Sequence, residues 1–268
     1  MVLTIGTNPD AFGIWSPEDQ RRFPASDWLD AVAATGYRSV ELGPMGYLGP
    51  HGRHIRNELR RHHLELTAGY LSRLTPDHKD RATALRRLRE AARITADAGG
   101  RFILAIAAFY RDASDTPTGP RTFTDLDWNN FVALIEDVAR IASNEFGLQT
   151  VFHPHVDTAV ETPEHIERFM SCTSERVGLC LDTGQVNYRG SSPAELLRRW
   201  GPRVRYVHLR DLDPEATTLA RVADLPFETA VRTGLFCDPG SGLVDFVEFR
   251  RAVVATGVVM TLVLFWRL

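Results

Sequence analysis

The chain has 268 residues, a net charge of −3 at neutral pH and a hydrophobic fraction of 44%. This composition is typical of a globular protein, and the length suits one (β/α)8 barrel. No clustered basic face is available for nucleic-acid phosphates, and the longest apolar run, at 258–266, is too short to cross a bilayer as a helix. We therefore expect neither nucleic acid nor a membrane as a partner.

The cysteines and the single lysine exclude further classes of protein function. The cysteines, Cys172, Cys180 and Cys237, are odd in number and lack metal-binding spacing, and no signal-peptide pattern opens the chain. We therefore expect a reduced, cytoplasmic protein with incidental thiols. Lys79 is the only lysine and lies at a predicted solvent-facing helix start, so we expect no Schiff base, pyridoxal phosphate or P-loop.

Eight strand-like runs alternate with eight helical patterns. The strands are predicted near 2–6, 38–42, 64–69, 102–108, 149–153, 177–181, 204–209 and 259–265. The helices are predicted near 26–35, 52–62, 76–98, 125–146, 162–171, 192–200, 224–233 and 244–256. Apolar strands separated by helices indicate a parallel sheet, and eight units in this length predict an α/β fold, a (β/α)8 TIM barrel that is a single domain over 1–268.

Polar side chains occur where these strands end, which is where such a barrel places its active site. Asn8 follows the first strand, and Glu41 ends the second. The fifth strand leads into FHPH, which places His153 and His155 on one side of an extended segment. The sixth strand ends at Asp182.

The seventh strand adds His208 and Arg210 in VHLRD. Imidazole together with carboxylate suits a borderline or hard divalent ion, so His153, Asp182 and His208 are candidate metal ligands. Each motif alone also has an ordinary explanation: a polar strand end, a turn-closing aspartate or a hydrogen-bonded core histidine. Their occurrence at three successive strand ends favours one shared site.

Several segments read together resemble a known superfamily. FHPHVDT followed by TPEHIERFM, then VGLCLDTG and RVRYVHLRDLDP, resemble the sugar phosphate isomerase/epimerase superfamily with a xylose isomerase-like barrel, and within it inosose dehydratase-like proteins of inositol catabolism. ELGPMGYLGP and FETAVRTGLFCDPGSGLVDF extend the likeness over nearly the whole chain. The resemblance implies a divalent metal, foremost Mn²⁺ or Co²⁺, with Zn²⁺, Fe²⁺ or Mg²⁺ as alternatives. Its implied ligands are Asp182 and His208, with His153 where many relatives have a glutamate.

The resemblance also implies roles for neighbouring residues. Glu41 is expected to contact substrate or move a proton, and His155 to face the substrate or support the ligands. The opposite assignment, with His155 as the ligand and His153 in the supporting role, stays open. Gln185 follows LDTG where relatives usually have histidine; a neutral amide orients an oxygen but does not transfer protons. Asn8 and Arg210 are expected to bind substrate.

The last predicted strand departs from the family pattern. Relatives typically end it with a glutamate ligand, whereas LVLFWRL places Phe265 there, and phenylalanine cannot bind a metal. Two functions therefore stay open. One is a metal-dependent lyase, isomerase or epimerase that removes a proton α to the carbonyl of a sugar or polyol ketone. The other is a non-catalytic sugar- or polyol-binding barrel that has lost its last metal ligand.

The expected partner is a small-molecule sugar or inositol-derived substrate, and self-association into a homo-oligomer stays open. A third function, an endonuclease of the abasic-site type, shares the same barrel. It would need a richer cluster of histidines and carboxylates and a basic groove, and neither is evident.

Overall fold

A parallel sheet rolled into a barrel, with helices between its strands, confirms the predicted single-domain TIM-barrel fold. The computed structural model describes residues 5–257 and 261–264. The predicted strand residues 2–4 and 259–260, together with Phe265, lie outside the described residues. Within the described part, nine strands form the sheet, and every neighbouring pair in it is parallel.

The strands and helices follow the predicted alternation. The strands are β1 (Ile5–Thr7), β2 (Ser39–Val40), β3 (Glu65–Leu66), β4 (Ala68–Leu74), β5 (Phe102–Ala107), β6 (Gln149–Phe152), β7 (Val177–Asp182), β8 (Val204–Leu209), β9 (Asp211–Leu212), β10 (Phe236–Cys237) and β11 (Thr261–Leu264). The helices are α1 (Ala25–Ala34), α2 (Gly52–Arg61), α3 (His78–Ala98), α4 (Asp125–Phe146), α5 (Pro163–Cys172), α6 (Thr183–Tyr188), α7 (Pro193–Trp200), α8 (Pro214–Val222), α9 (Phe227–Arg232) and α10 (Phe246–Thr256).

The barrel closes through a strand that is interrupted at Thr67. The sheet order is β3-β2-β1-β11-β8-β7-β6-β5-β4, so its two ends are consecutive in the chain. The Thr67 amide donates to the Val40 carbonyl on one side (2.9 Å), and its carbonyl accepts from the Phe102 amide on the other (3.1 Å). β3 and β4 together therefore count as one barrel strand, the predicted 64–69, which gives eight strands.

The helices pack their apolar faces against the outside of the barrel. α4 shows how local sequence sets these bounds: Thr124 and Asp127 form a capping box at its start, and Gly147, with φ of 70°, ends it. Its buried face includes Trp128 and Phe131, which join the main core. No helix within residues 5–257 and 261–264 has the length and apolar character needed to cross a bilayer.

The segment after β8 is more elaborate than predicted. Only one helix near 224–233 is expected there, whereas the structure forms α8 as well as α9, and β9 pairs antiparallel with β10. α8 has Asp213 as its N-cap and buries Thr217 and Ala220, but it leaves Leu219 and Val222 largely exposed, so its large apolar residues do not mark the buried face. We call residues 213–237 the cap. A second unpredicted helix, α6, follows β7 directly.

Arg203 holds the opposite, amino-terminal end of the barrel together. It precedes β8, and its buried guanidinium donates to the carbonyls of Met170 (2.6 Å), Thr173 (3.1 Å) and Val177 (2.7 Å). These carbonyls belong to the end of α5 and the turn that leads into β7. One side chain therefore satisfies several buried acceptors at once.

We expect Arg203→Lys to lower the free energy of unfolding by about 2 kcal/mol, because an ammonium has three donors and cannot match the guanidinium fork. Urea unfolding followed by circular dichroism measures this. Arg205→Lys is the matched control, since Arg205 donates to the carbonyl of the exposed Glu175, and its effect should stay within about 0.5 kcal/mol. If the free energy of unfolding fell equally in the two variants, the role of Arg203 in holding this end of the barrel together would be contradicted.

Candidate active site

Asp182 lies at the centre of a polar cluster at the carboxyl ends of the strands. It ends β7 and caps α6, with Oδ1 accepting from the Gln185 amide (3.0 Å). Its other oxygen, Oδ2, lies 3.6 Å from His153 Nε2 and 3.7 Å from His208 Nδ1. This N-cap contact with α6 therefore fixes the carboxylate so that one oxygen faces two imidazoles.

Thr183 and Gly184, which follow Asp182 in the LDTG motif and begin α6, pack closely against Arg210, the residue that follows β8. The Thr183 hydroxyl donates to the Arg210 carbonyl (2.7 Å) and accepts from the Arg210 amide (2.9 Å). A Cβ on Gly184 would lie 2.8 Å from Arg210 Cβ and 3.2 Å from the Phe236 ring. Glycine is needed here because two chain segments approach too closely for any side chain.

His208 is oriented by Glu41, across the barrel. His208 Nε2 donates to Glu41 Oε1 (2.8 Å), and this contact turns Nδ1 toward Asp182. Glu41 Oε2 accepts from Asn8 Nδ2 (2.8 Å) and from the Tyr70 hydroxyl. Asn8 is fixed in turn, because its Oδ1 accepts from the Ala11 amide (3.0 Å) at the start of a 3₁₀ turn. Both oxygens of Glu41 are therefore engaged.

The charges of this cluster are set by burial and by the neighbouring groups. Burial alone would raise the pKa of Asp182, but Arg210 and the two imidazoles outweigh it and hold that pKa well below its usual range. Burial likewise opposes ionisation of Glu41, yet His208 lowers the pKa of this carboxyl. The pKa of His208 is raised, because the charges of Glu41 and Asp182 outweigh its burial. Both carboxylates are therefore anionic at neutral pH.

His153 and His155 are neutral imidazoles. Burial lowers the pKa of His153, and burial beside His153 lowers the pKa of His155 to about 3. His155 Nδ1 lies 2.7 Å from the Val156 carbonyl and, since a carbonyl only accepts, Nδ1 carries the proton. Gln185 Oε1 accepts from the Val156 amide (2.7 Å), which places its Nε2 3.4 Å from His153 Nε2.

Three of these groups fit a divalent ion. Ligand atoms that each lie about 2.1 Å from one ion are about 3 to 3.5 Å apart, close to the observed spacings of Asp182 Oδ2 from the two imidazole nitrogens. Nitrogen and carboxylate donors suit Zn²⁺, Mn²⁺, Co²⁺ or Fe²⁺. Cys180 also approaches, because donor atoms of His153, Cys180 and His208 all lie within 4.8 Å of one another.

The structure brings all the predicted site residues to one end of the barrel. Asn8, Glu41, His153, Asp182, Gln185 and His208 are buried, whereas His155 and Arg210 are partly exposed. Arg210 Nε lies 3.2 Å from Asp182 Oδ2, and the rings of His155 and His153 are 5.4 Å apart. Phe265 lies outside the described residues, so its predicted place at the last strand end stays a prediction.

Sequence reasoning gave no role at this site to three residues that the structure places there, although Tyr70 was noted as a polar residue after the third strand. Cys180 is two residues before Asp182 on β7 and so shares its side of the strand, a signal that was available. Tyr70 follows the third predicted strand and contacts Glu41 and Asn8. Asp10 lies two residues after Asn8, near the charges of Arg210, Glu41 and His208; desolvation raises the pKa of Asp10 to about 7, against the opposing effect of Arg210.

A parallel eight-stranded barrel with buried imidazoles and carboxylates at its strand ends is an enzyme-type α/β barrel. The chain belongs to the xylose isomerase-like TIM barrel family, whose sequence profile matches residues 29–266. The family assignment confirms the resemblance seen in the sequence.

Named relatives support this placement. The chain is 32% identical over 225 residues to an inosose dehydratase of Geobacillus kaustophilus (strain HTA426), covering 82% of this chain and 72% of that protein. It is 30% identical over 264 residues to the rhizopine catabolism protein MocC of Rhizobium meliloti, covering 96% and 79%. Among solved structures, the IolI protein with a zinc atom aligns with a TM-score of 0.71 at 16% identity, covering 98% of this chain and 89% of that one.

We expect Gly184→Ala to lower the free energy of unfolding by about 1 to 3 kcal/mol, because the added methyl forces the first turn of α6 away from Arg210. Thermal unfolding measures the change. Gly119→Ala is the control: its added Cβ would meet nothing nearer than 3.5 Å. If both variants are equally stable, the close packing of LDTG against Arg210 is wrong.

Proposed function

We propose that this protein is a divalent-metal-dependent enzyme that removes a proton α to the carbonyl of a sugar or cyclic polyol ketone, in the manner of an inosose dehydratase or a related isomerase or epimerase. The observation that carries the proposal is the position of Asp182 Oδ2 between His153 Nε2 and His208 Nδ1. The 32% identity to an inosose dehydratase over most of the chain favours the lyase among these activities.

The residues that would hold the ion are His153, Asp182 and His208. When bound, a divalent ion would polarise the substrate carbonyl and offset the negative charge that develops as the α-proton leaves. Glu41 would act as the outer carboxylate that fixes the His208 ring, since a metal-binding histidine usually donates its other N–H to such a group. Gln185 differs from Glu41, because its Nε2 lies 3.4 Å from the same His153 nitrogen, Nε2, that faces Asp182, and an ion bound there would replace this contact.

Arg210 is the residue that we propose contacts substrate oxygen. It is partly exposed, its guanidinium lies 4.9 Å from the centre of the Phe236 ring, and β8 aims it at Asp182. Asn8 was predicted to bind substrate, and in the structure both ends of its amide are bonded, to Ala11, Glu41 and Tyr70. We therefore propose that Asn8 acts by orienting Glu41.

Proton transfer is best placed on Asp10. Glu41 was the predicted candidate, but both its oxygens are engaged in the cluster. His155 has a pKa of about 3 and is a weak base at neutral pH. Asp10 is partly exposed beside Arg210, Glu41 and His208, and desolvation of its carboxyl raises its pKa to about 7, which matches a group that must both accept and release a proton. In a dehydratase the C–H electron pair then forms a C=C bond, and the β-hydroxyl leaves as water after protonation.

One contact favours the second function, a binding barrel without metal. Arg210 Nε is 3.2 Å from Asp182 Oδ2, so a guanidinium already neutralises the oxygen that an ion would use. Calorimetry with inosose, with and without Mn²⁺, separates the functions: binding that ignores the metal, without turnover, supports the binding barrel. Phe265→Glu extends this test, since a restored carboxylate should raise metal content.

We expect purified protein to hold about one divalent ion per chain, and Asp182→Asn to weaken metal binding by about 10- to 100-fold. Asparagine keeps the oxygen that caps α6 but replaces Oδ2 with a non-binding amide nitrogen. Elemental analysis after dialysis measures the metal. Asp213→Asn is the matched control, because Asp213 caps α8 in the same way, away from the metal cluster. Unchanged metal content in Asp182→Asn would contradict the ligand assignment.

We expect kcat/KM on inosose to rise with pH through about 7 and then level off, because Asp10 accepts the proton only in its ionised form. Asp10→Asn should abolish this rise and lower kcat by about 100-fold or more. Asp30→Asn, on α1, should leave the profile unchanged. A profile in Asp10→Asn that keeps the wild-type inflection would exclude Asp10 as the base.

A further inference from the structure

The cap crosses the mouth of the barrel from one side to the other. At the start of α9, the Phe227 ring lies 5.3 Å from the ring of His155, which follows β6. At its end, the Arg232 guanidinium lies 4.6 Å from the ring of Trp15, which follows β1. β1 and β6 are four positions apart in the strand order, which is opposite in an eight-stranded barrel. A six-residue helix is about 9 Å long, so with these side chains it reaches across the opening.

A buried carboxylate, Asp157, fastens the start of α9. Its Oδ2 accepts from the Phe227 amide (2.6 Å), and its Oδ1 accepts from the Arg111 guanidinium and the Tyr110 hydroxyl (both 3.0 Å). Asp157 itself has φ of 63°, a conformation that aspartate tolerates better than most residues. The loops after β5 and β6 are therefore tied to the residue that faces His155.

Arg111 completes this attachment from the other side. Besides Asp157, it donates to the carbonyls of Asp224 (2.9 Å) and Leu225 (3.0 Å), just before α9. Its side chain is 7% exposed and that of Asp157 is 4% exposed, so bulk water does not replace these bonds. We call this buried pair, Arg111 and Asp157, the latch.

The chain that follows the cap, residues 240–244, is fastened by a second buried carboxylate. Asp211, just after β8, accepts from the amides of Gly240 (2.8 Å), Gly242 (2.9 Å) and Val244 (2.9 Å). The chain that returns from the cap is thus fixed beside the strand that carries Arg210. The cap has defined attachments at both ends.

The latch places an aromatic wall next to the polar cluster. The His155 ring lies edge-on between Phe109 (5.0 Å) and Phe227 (5.3 Å), and Phe236 follows at 5.9 Å from Phe227. Polar donors occupy one side of the site, and this wall occupies another. A cyclic polyol ketone has a matching division, because its C–H bonds form an apolar face and its oxygens project around the ring.

We propose that Phe227, which is 5% exposed and packs edge-on against the partly exposed His155 ring, is a specificity-determining residue held in place by the latch, and that its wall selects a ring-shaped polyol ketone over an open-chain ketose. The substrate class rests on the proposed function, whereas the positioning of Phe227 by Arg111 and Asp157 does not. An open-chain sugar presents no continuous C–H face to this wall, so it gains less from the contact.

The latch is tested without substrate. Arg111→Lys and Arg203→Lys form a matched pair, since each removes a buried guanidinium that bonds backbone carbonyls, one at the mouth and one at the opposite end. Hydrogen exchange by mass spectrometry should show peptides over 223–236 exchanging at least about tenfold faster in Arg111→Lys than in wild type, with no change there in Arg203→Lys. Equal exchange in all three proteins would overturn the latch.

The specificity of Phe227 is tested with Phe227→Leu, which leaves the ion pair intact. KM for inosose should rise by about tenfold with kcat within about threefold, while the inhibition constant of erythrulose, a ketose too short to close a five- or six-membered ring, stays within about twofold. Leu219→Ala, an exposed change on α8, is the control. An unchanged ratio of the KM for inosose to the inhibition constant of erythrulose would overturn the assignment. Wild type that neither binds nor converts inosose would overturn it together with the proposed function, while the exchange result would still decide the latch.

Discussion

The site depends on how the barrel accommodates one buried anion, the carboxylate of Asp182. Moving such a charge out of water costs several kcal/mol unless its oxygens are compensated. One oxygen is met by the first turn of α6, where backbone N–H groups and the helix dipole favour negative charge. The other is met by the cationic Arg210 and two imidazoles. The short helix directly after β7 and the close approach of Gly184 to Arg210 both follow from this requirement.

The cluster gains its rigidity from barrel closure. His208 on β8, Glu41 after β2 and Asn8 after β1 form a chain of hydrogen bonds across strands that are distant in sequence. Each of these three side chains makes a further contact through its other polar atom: Asn8 with Ala11, Glu41 with Tyr70 and His208 with Asp182. These contacts fix the orientation of every ring, amide and carboxylate in the chain of hydrogen bonds. The anionic Asp182 and Glu41 are offset by Arg210 and by the raised pKa of His208. This balance allows four strongly polar groups to share a small buried volume.

Much of this architecture was readable from the sequence because local signals agreed with the fold. The bounds of α4 and β8 match their predicted ranges, since capping residues, glycine stops and buried apolar runs mark them. The predicted site residues also assemble, because parallel strands place their carboxyl ends together. The cap was not predictable in the same way: the Arg111 contact with the Asp224 carbonyl joins residues 113 positions apart, and no periodicity records it. The interruption at Thr67 was invisible because it leaves the apolar pattern of the strand intact.

The barrel holds the reactive groups at fixed distances, and the cap covers the site; the two parts are held in place by different interactions. Strand ends are held by backbone ladders on both sides, so they keep reactive groups at fixed distances, as His153, Asp182 and His208 are kept. Within residues 5–257 and 261–264, the cap has no such ladder to the barrel strands; besides the β9–β10 pairing, side chains such as Arg111 and Asp157 hold it. Buried ion pairs such as Arg111–Asp157 add little net stability, but their strict geometry fixes one arrangement among several. Such a pair therefore suits a segment whose position, more than its stability, decides which molecule fits beneath it.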